Sequence, residues 1–118
     1  MKVQGQRWEF QIGNTRVVVE NAWNWVGYSQ ERVRVNGEIL YERTGWFYFV
    51  INSTIVAEFD VLDVDHAVAV GLQSNGGDYN IWCRIITEDT VYKPDDWSEA
   101  TWDTQTYLWP PDPNPFEM

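Results

Sequence analysis

Asn36-Gly37 constrains this chain more than any other stretch, because it sits between two short runs rich in β-forming residues, Glu31-Arg-Val-Arg-Val35 and Glu38-Ile-Leu-Tyr41. Asn and Gly accept positive φ at little cost, so the pair predicts a tight hairpin turn whose twist suits the flanking strands. A two-residue turn sets Val35 against Glu38, Arg34 against Ile39, Val33 against Leu40 and Arg32 against Tyr41, and carries Glu31 to Glu42. That last like-charge pair costs roughly a few tenths of a kcal/mol up to about 1. A three-residue turn would pair Arg34 with Glu38 and remove the clash, but it uses Asn-Gly less well. The two-residue register is the favoured one, and either register leaves a hairpin.

The same two-residue period runs through most of the chain. Arg7-Trp-Glu-Phe-Gln-Ile12 puts Trp8, Phe10 and Ile12 on one face and the polar residues on the other, and Gly13-Asn14 then turns into the β-branched run Thr15 to Glu20. Asn21 to Gln30 reads as a connection that carries Trp23, Trp25 and Tyr28. After the hairpin, Thr44-Gly45 reads as a break before the apolar run Trp46 to Ile51. Thr54 to Asp60, Val64 to Leu72 and Tyr79 to Thr87 follow as strands, with a loop over Gln73 to Asp78. About eight strands at this spacing, with no convincing helical periodicity before Glu88, predict an all-β fold, an antiparallel β-sandwich.

The last thirty residues are of a different kind. Residues 1–90 form the expected sandwich domain, and 91–118 form an acidic, Trp/Pro-rich extension with Pro110-Pro-Asp-Pro-Asn-Pro115 near its end. Asp96 and Glu99 resemble a capping box that could start a helical turn, whereas Thr104 to Trp109 reads as a short strand. Disordered tails are poor in aromatics. This one carries Trp97, Trp102 and Trp109, so it is expected to pack back onto the same domain.

Composition narrows the function classes. The formal net charge is -10, which repels phosphate backbones and argues against direct nucleic-acid binding. A solvated surface explains the acidity, and attraction of a basic partner protein is the sharper alternative. Cys83 is the only cysteine, so no intramolecular disulfide can form, and its apolar neighbours predict a buried thiol. No stretch approaches the roughly 18 apolar residues of a membrane helix, and Met1 to Trp8 has no signal-peptide character. The expectation is a cytoplasmic protein.

Trp8-Glu-Phe-Gln-Ile12, Val17-Val-Val-Glu-Asn21 and Glu31-Arg-Val-Arg-Val-Asn-Gly-Glu38, followed by Phe59 to Leu72 and Tyr79 to Ile86, resemble the repeat of the Fas apoptotic inhibitory molecule family. The resemblance covers roughly residues 7–90. It implies an antiparallel sandwich without an enzymatic site that acts through protein contacts. The chain departs from the pattern in the loop with Trp23 and Trp25, in Asn21 where the family often has His, and in its tail.

Chemical motifs are weak by comparison. His66 is the only histidine, too few for the usual zinc shell, and Asp65 belongs to the opposite strand face. Asp60, Asp63 and Asp65 lack the Gly and distant Glu of a calcium loop, and Ser74-Asn-Gly-Gly-Asp78 lacks the Lys and helix of a phosphate loop. No catalytic residue, cofactor or metal ligand is assigned. Aromatics are the class in excess, with eight tryptophans. The binding candidates are Trp23, Trp25, Tyr28, Arg32, Arg34, Trp97, Trp102 and Trp109, with Arg32 and Arg34 expected beside Tyr41 on one hairpin face. Another protein is the expected partner. A carbohydrate stacked on the indoles is the second reading, and acidic inhibition of a basic protein the third.

Overall fold

The computed structural model describes residues 2–24, 28–46, 54–75 and 78–103. Among these residues nine strands arrange in two antiparallel sheets: β1 (Lys2–Ile12), β2 (Thr15–Trp23), β3 (Tyr28–Val35), β4 (Glu38–Trp46), β5 (Thr54–Val61), β6 (Val64–Asn75), β7 (Asp78–Ile86), β8 (Val91–Tyr92) and β9 (Asp96–Asp103). One sheet has the order β4-β3-β2-β1-β9 and the other β5-β6-β7-β8. The chain thus lays down one four-stranded meander, then the second sheet, and returns to the first sheet at the open side of β1. Residues from 91 onward therefore contribute a strand to each sheet, and Asp96 to Glu99 is strand rather than the helical turn that its capping residues allow.

Alternation decides which face of each strand meets the opposite sheet. Trp8, Phe10, Ile12, Val17, Val19 and Val33 from the five-stranded sheet meet Val68, Val70, Cys83 and Ile85 from the other in one core. Val33, Val68, Cys83 and Ile85 have no exposed surface at all. Burying such side chains contributes roughly 1.5–3 kcal/mol each, enough to hold two sheets face to face.

The central hairpin forms as its sequence predicts, with Asn36 at φ 50° and Gly37 at φ 86°. Asn36 also ties the turn to β2, since its amide donates to the Arg16 carbonyl at 2.8 Å and its Oδ1 accepts from the Arg16 amide at 2.9 Å. Val35 pairs with Glu38 and Arg34 with Ile39, as the two-residue register requires. Beyond them the register departs from expectation. A shift between Val33 and Arg34 leaves out Leu40, so that Val33 faces Tyr41, Arg32 faces Glu42 and Glu31 faces Arg43. One extra residue on β4 converts the Glu31–Glu42 clash into two opposite-charge pairs while keeping the Asn-Gly turn.

Several boundaries also move. β4 runs through Thr44-Gly45 to Trp46, so the expected break does not fall there, and β6 runs to Asn75, so the expected loop is shorter than the sequence suggests. The expected strand from Trp46 to Ile51 lies, apart from Trp46, outside the described residues, as does that from Thr104 to Trp109.

Between β5 and β6 the turn is made by Leu62 at φ 51° and Asp63 at φ 63°. Leucine pays a steric penalty there, and with 93% of its surface exposed it gains little from packing. Leu62→Asn is expected to raise the unfolding free energy by roughly 1 kcal/mol, read by urea denaturation. A second backbone constraint lies at Gly71, against which the Trp82 ring rests: a Cβ there would fall 2.2 Å from Trp82 Cζ2. Gly71→Ala should lower stability by about 1–3 kcal/mol and change the Trp emission spectrum.

Candidate functional site

Because the two-residue period also runs along β9, Trp97 and Glu99 share a face with the residues they pair with on β1, Trp8 and Gln6. This is the face turned toward the other sheet. Among the described residues that sheet does not reach as far: β8 is two residues long and pairs only with Ile85 and Ile86. Residues 79–84 of β7 have no strand on their outer side among the described residues. The result is an open groove of about 470 Å³ at the seam between the sheets, with Ile81, Trp82 and Arg84 on one wall and Trp97 and Glu99 on the other. Trp8 and Gln6 form its floor, and Lys93 and Pro94 close one end.

Two indoles, Trp8 and Trp97, pair across β1 and β9 on the inner face, whereas Trp82, opposite in alternation to the core residues Cys83 and Ile85, has its ring on the outer face of its sheet. Trp8 is 4% exposed and belongs to the core, whereas Trp97 is 59% exposed at the groove mouth. Trp82 is fixed flat by Gly71 beneath it, with the Arg84 guanidinium carbon 6.0 Å from its ring centroid. Arg84 also donates from a guanidinium nitrogen to the Cys83 carbonyl at 2.7 Å. Gln6 Nε2 donates to Glu99 Oε1 at 3.3 Å, which engages the groove's one carboxylate. Among the described residues neither Arg84 nor Lys93 is part of an ion pair.

Of the residues singled out by sequence, Trp97 alone lines this groove. Trp23 is half-buried at the end of β2, and Tyr28 begins β3 opposite Trp46. Trp102 is buried at 8% exposure against Val3 and Ala22 on the other face of the five-stranded sheet, and so is no surface platform. Trp25 and Trp109 lie outside the described residues. Arg32 and Arg34 are not beside Tyr41, which packs against the core on the opposite face. Instead, both hold the fully buried Glu20. Arg32 Nε and a terminal guanidinium nitrogen each lie 3.2 Å from Glu20 Oε1, and Arg34 Nε lies 3.6 Å away. These arginines neutralise a buried carboxylate and are committed to the fold. The groove residues that the sequence reading missed are Gln6, Trp8, Ile81, Trp82, Arg84, Lys93, Pro94 and Glu99; only the tertiary meeting of β1, β7 and β9 makes them one site.

The single histidine and the single cysteine are structural. His66 is 3% exposed, stacked between Phe59 and Tyr92 at centroid distances of 5.4 and 5.9 Å, with Nδ1 2.8 Å from the Val64 carbonyl oxygen. Cys83 is fully buried, and desolvation pushes its thiol well above the ordinary range, only partly offset by Arg84. It is no nucleophile.

The other buried carboxylate is Glu31, on the core side of β3. Its only described ion-pair partner is Arg43, 3.8 Å away, and neither carboxylate oxygen accepts a hydrogen bond. Burial raises the Glu31 pKa above 4.5, and Arg43 opposes that shift. The folded state therefore holds the proton more tightly than the unfolded state does. Glu31 contributes most to stability below its unfolded pKa, and that contribution is lost as pH rises through the folded value. Glu31→Gln should abolish this fall and raise stability at neutral pH by roughly 1 kcal/mol, as measured by denaturation across a pH series.

Comparison of the chain with family models, curated proteins and solved structures finds no match.

Proposed function

We propose that this protein is a non-enzymatic binding module that docks a polypeptide partner in the groove between β7 and β9. The observation that carries the reading is Trp97, a large ring more than half exposed, paired across β1 and β9 with the buried Trp8 in a groove that Arg84 also lines. Trp and Arg are the residues that most often dominate the energetics of protein contacts, above all where neighbouring groups shield them from water. The resemblance to the Fas apoptotic inhibitory molecule repeat implies the same non-enzymatic, contact-based role. A cytoplasmic setting fits a single buried thiol that needs no oxidising compartment. Among the described residues no helix is long and apolar enough to cross a membrane.

A carbohydrate ligand is the second reading, favoured by the polar side chains of Gln6, Arg84 and Glu99 beside the indoles. Acidic inhibition of a basic protein rests on the net charge of -10 and draws nothing from this groove, whose lining carries two cations, Arg84 and Lys93, against one carboxylate, Glu99. Trp97→Ala is expected to weaken partner capture by at least roughly tenfold while leaving the denaturation midpoint nearly unchanged, because hot-spot truncations cost about 2 kcal/mol or more. Unchanged capture would reject the groove as the docking site. Indole fluorescence that responds to a glycan panel and to no polypeptide would favour the second reading.

A further inference from the structure

His66 is fixed in place by contacts that use only one of its two ring nitrogens. Phe59 and Tyr92 both stack on it, and Nδ1, lying against the Val64 carbonyl oxygen, carries the proton of that hydrogen bond. In the neutral ring Nε2 is then an acceptor. It has no hydrogen-bond partner among the described residues, yet it is not one of their sealed polar atoms. His66 lines an open cavity of about 260 Å³ between the β5–β6 and β7–β8 turns, which shares no lining residue with the Trp97 groove.

The cavity has an apolar sleeve and acidic surroundings. Ile12, Val61, Leu62 and Val64 line it beside Tyr92, and Asp89 adds a carboxylate that is in no ion pair among the described residues. The two segments that supply most of the wall, residues 61–66 and 87–92, carry Asp63, Asp65, Glu88 and Asp89 without a Lys or Arg. Asp65 moreover faces Asp60 across β5 and β6, a like-charge pair that destabilises the free chain and that a cation nearby relieves.

We infer that this cavity receives a Lys or Arg side chain of a partner polypeptide, its aliphatic stem against Ile12, Val61 and Tyr92 and its cationic head donating to His66 Nε2 and pairing with Asp89. Long basic side chains lay their stems along apolar surface while the head seeks acceptors. The His66 acceptor is oriented in advance by the bond from Nδ1. A polypeptide rather than a small amine is the occupant because apolar surface surrounds the mouth: Leu62 is 93% exposed and Val64 47%, and only a larger partner covers both. This contact goes beyond docking in the Trp97 groove and does not depend on it.

The test uses the full chain and short synthetic peptides that alternate Leu with Lys, with Nζ-acetyl-lysine or with Glu. Binding is followed by backbone amide and imidazole nitrogen shifts. The Lys peptide should move the signals of the His66 ring, Asp89 and Tyr92 and bind roughly tenfold more tightly than the acetylated one, because acetylation removes the charge from the hydrogen bond. Asp89→Asn, at an exposed position, should remove most of that preference. Leu62→Asn, which stabilises the turn, should nonetheless weaken binding, a divergence that loss of fold does not produce. Trp97→Ala should leave binding of the Lys peptide unchanged. Equal binding of the Lys and acetyl-lysine peptides, preference for the Glu peptide, or no shift with any of them overturns the inference. Binding that survives Asp89→Asn and Leu62→Asn but is lost in Trp97→Ala overturns it in favour of the groove, and n-butylamine competing as well as the peptide, mole for mole, overturns the polypeptide as occupant.

Discussion

A single apolar row on each sheet, set by a two-residue period, holds the molecule together. Trp8, Phe10 and Ile12 on β1 and Val17 and Val19 on β2 meet Val68, Val70, Cys83 and Ile85 across the interface. A slip of one residue in any of these strands would turn its apolar row outward and bring charge inside. Register therefore has to be correct throughout, and the local irregularities serve it. The Leu40 bulge brings Arg32 to Glu42 and Arg43 to Glu31 without disturbing the turn at Asn36-Gly37. The buried Glu20 is tolerated because β3 places Arg32 and Arg34 on its face of the sheet. Taking one partner from such a cluster leaves a buried charge uncompensated, which costs far more than the cluster contributes.

The sheets are matched in the middle and mismatched at one side. β9 pairs with β1 from Lys2–Asp103 to Glu9–Asp96, while among the described residues the opposing sheet has only the two residues of β8 on that side. Exposed strand edges are normally covered, charged or shortened, because unpaired amides invite association. Here Arg84 and Lys93 flank the outer side of β7 and Trp97 overlooks it, and charge beside a strand edge opposes unselected pairing. The same mismatch accounts for the exposure of Trp97 and for the groove itself.

How much of this could be read beforehand depended on how local the cause was. Strand periodicity, the Asn-Gly turn and the buried Cys83 follow from neighbours in sequence, and all three are present in the fold. The Leu40 bulge was not legible, because it results from competition between turn geometry and charge pairing across two strands. The fate of the aromatics was not legible either. Trp97 and Trp102 lie five residues apart in one short strand, and odd spacing alone sends them to opposite faces. Once β9 joined β1, one ring faced a groove and the other was sealed against Val3 and Ala22. Arg32 and Arg34 looked available because Glu20, twelve residues before Arg32, is a neighbour only through the β2–β3 register. Trp82 and Arg84 were legible only as neighbours of Cys83, since the groove they line exists only where β7 meets β1 and β9.

Amide hydrogen exchange along β7 addresses the register most directly. Trp82, Arg84 and Ile86, whose amides point to β6, should exchange orders of magnitude more slowly than Glu88 in the turn that follows, because each is locked in the β6–β7 ladder. Exchange of all three as fast as that of Glu88 would mean that the two strands do not pair in this register, and would contradict the account.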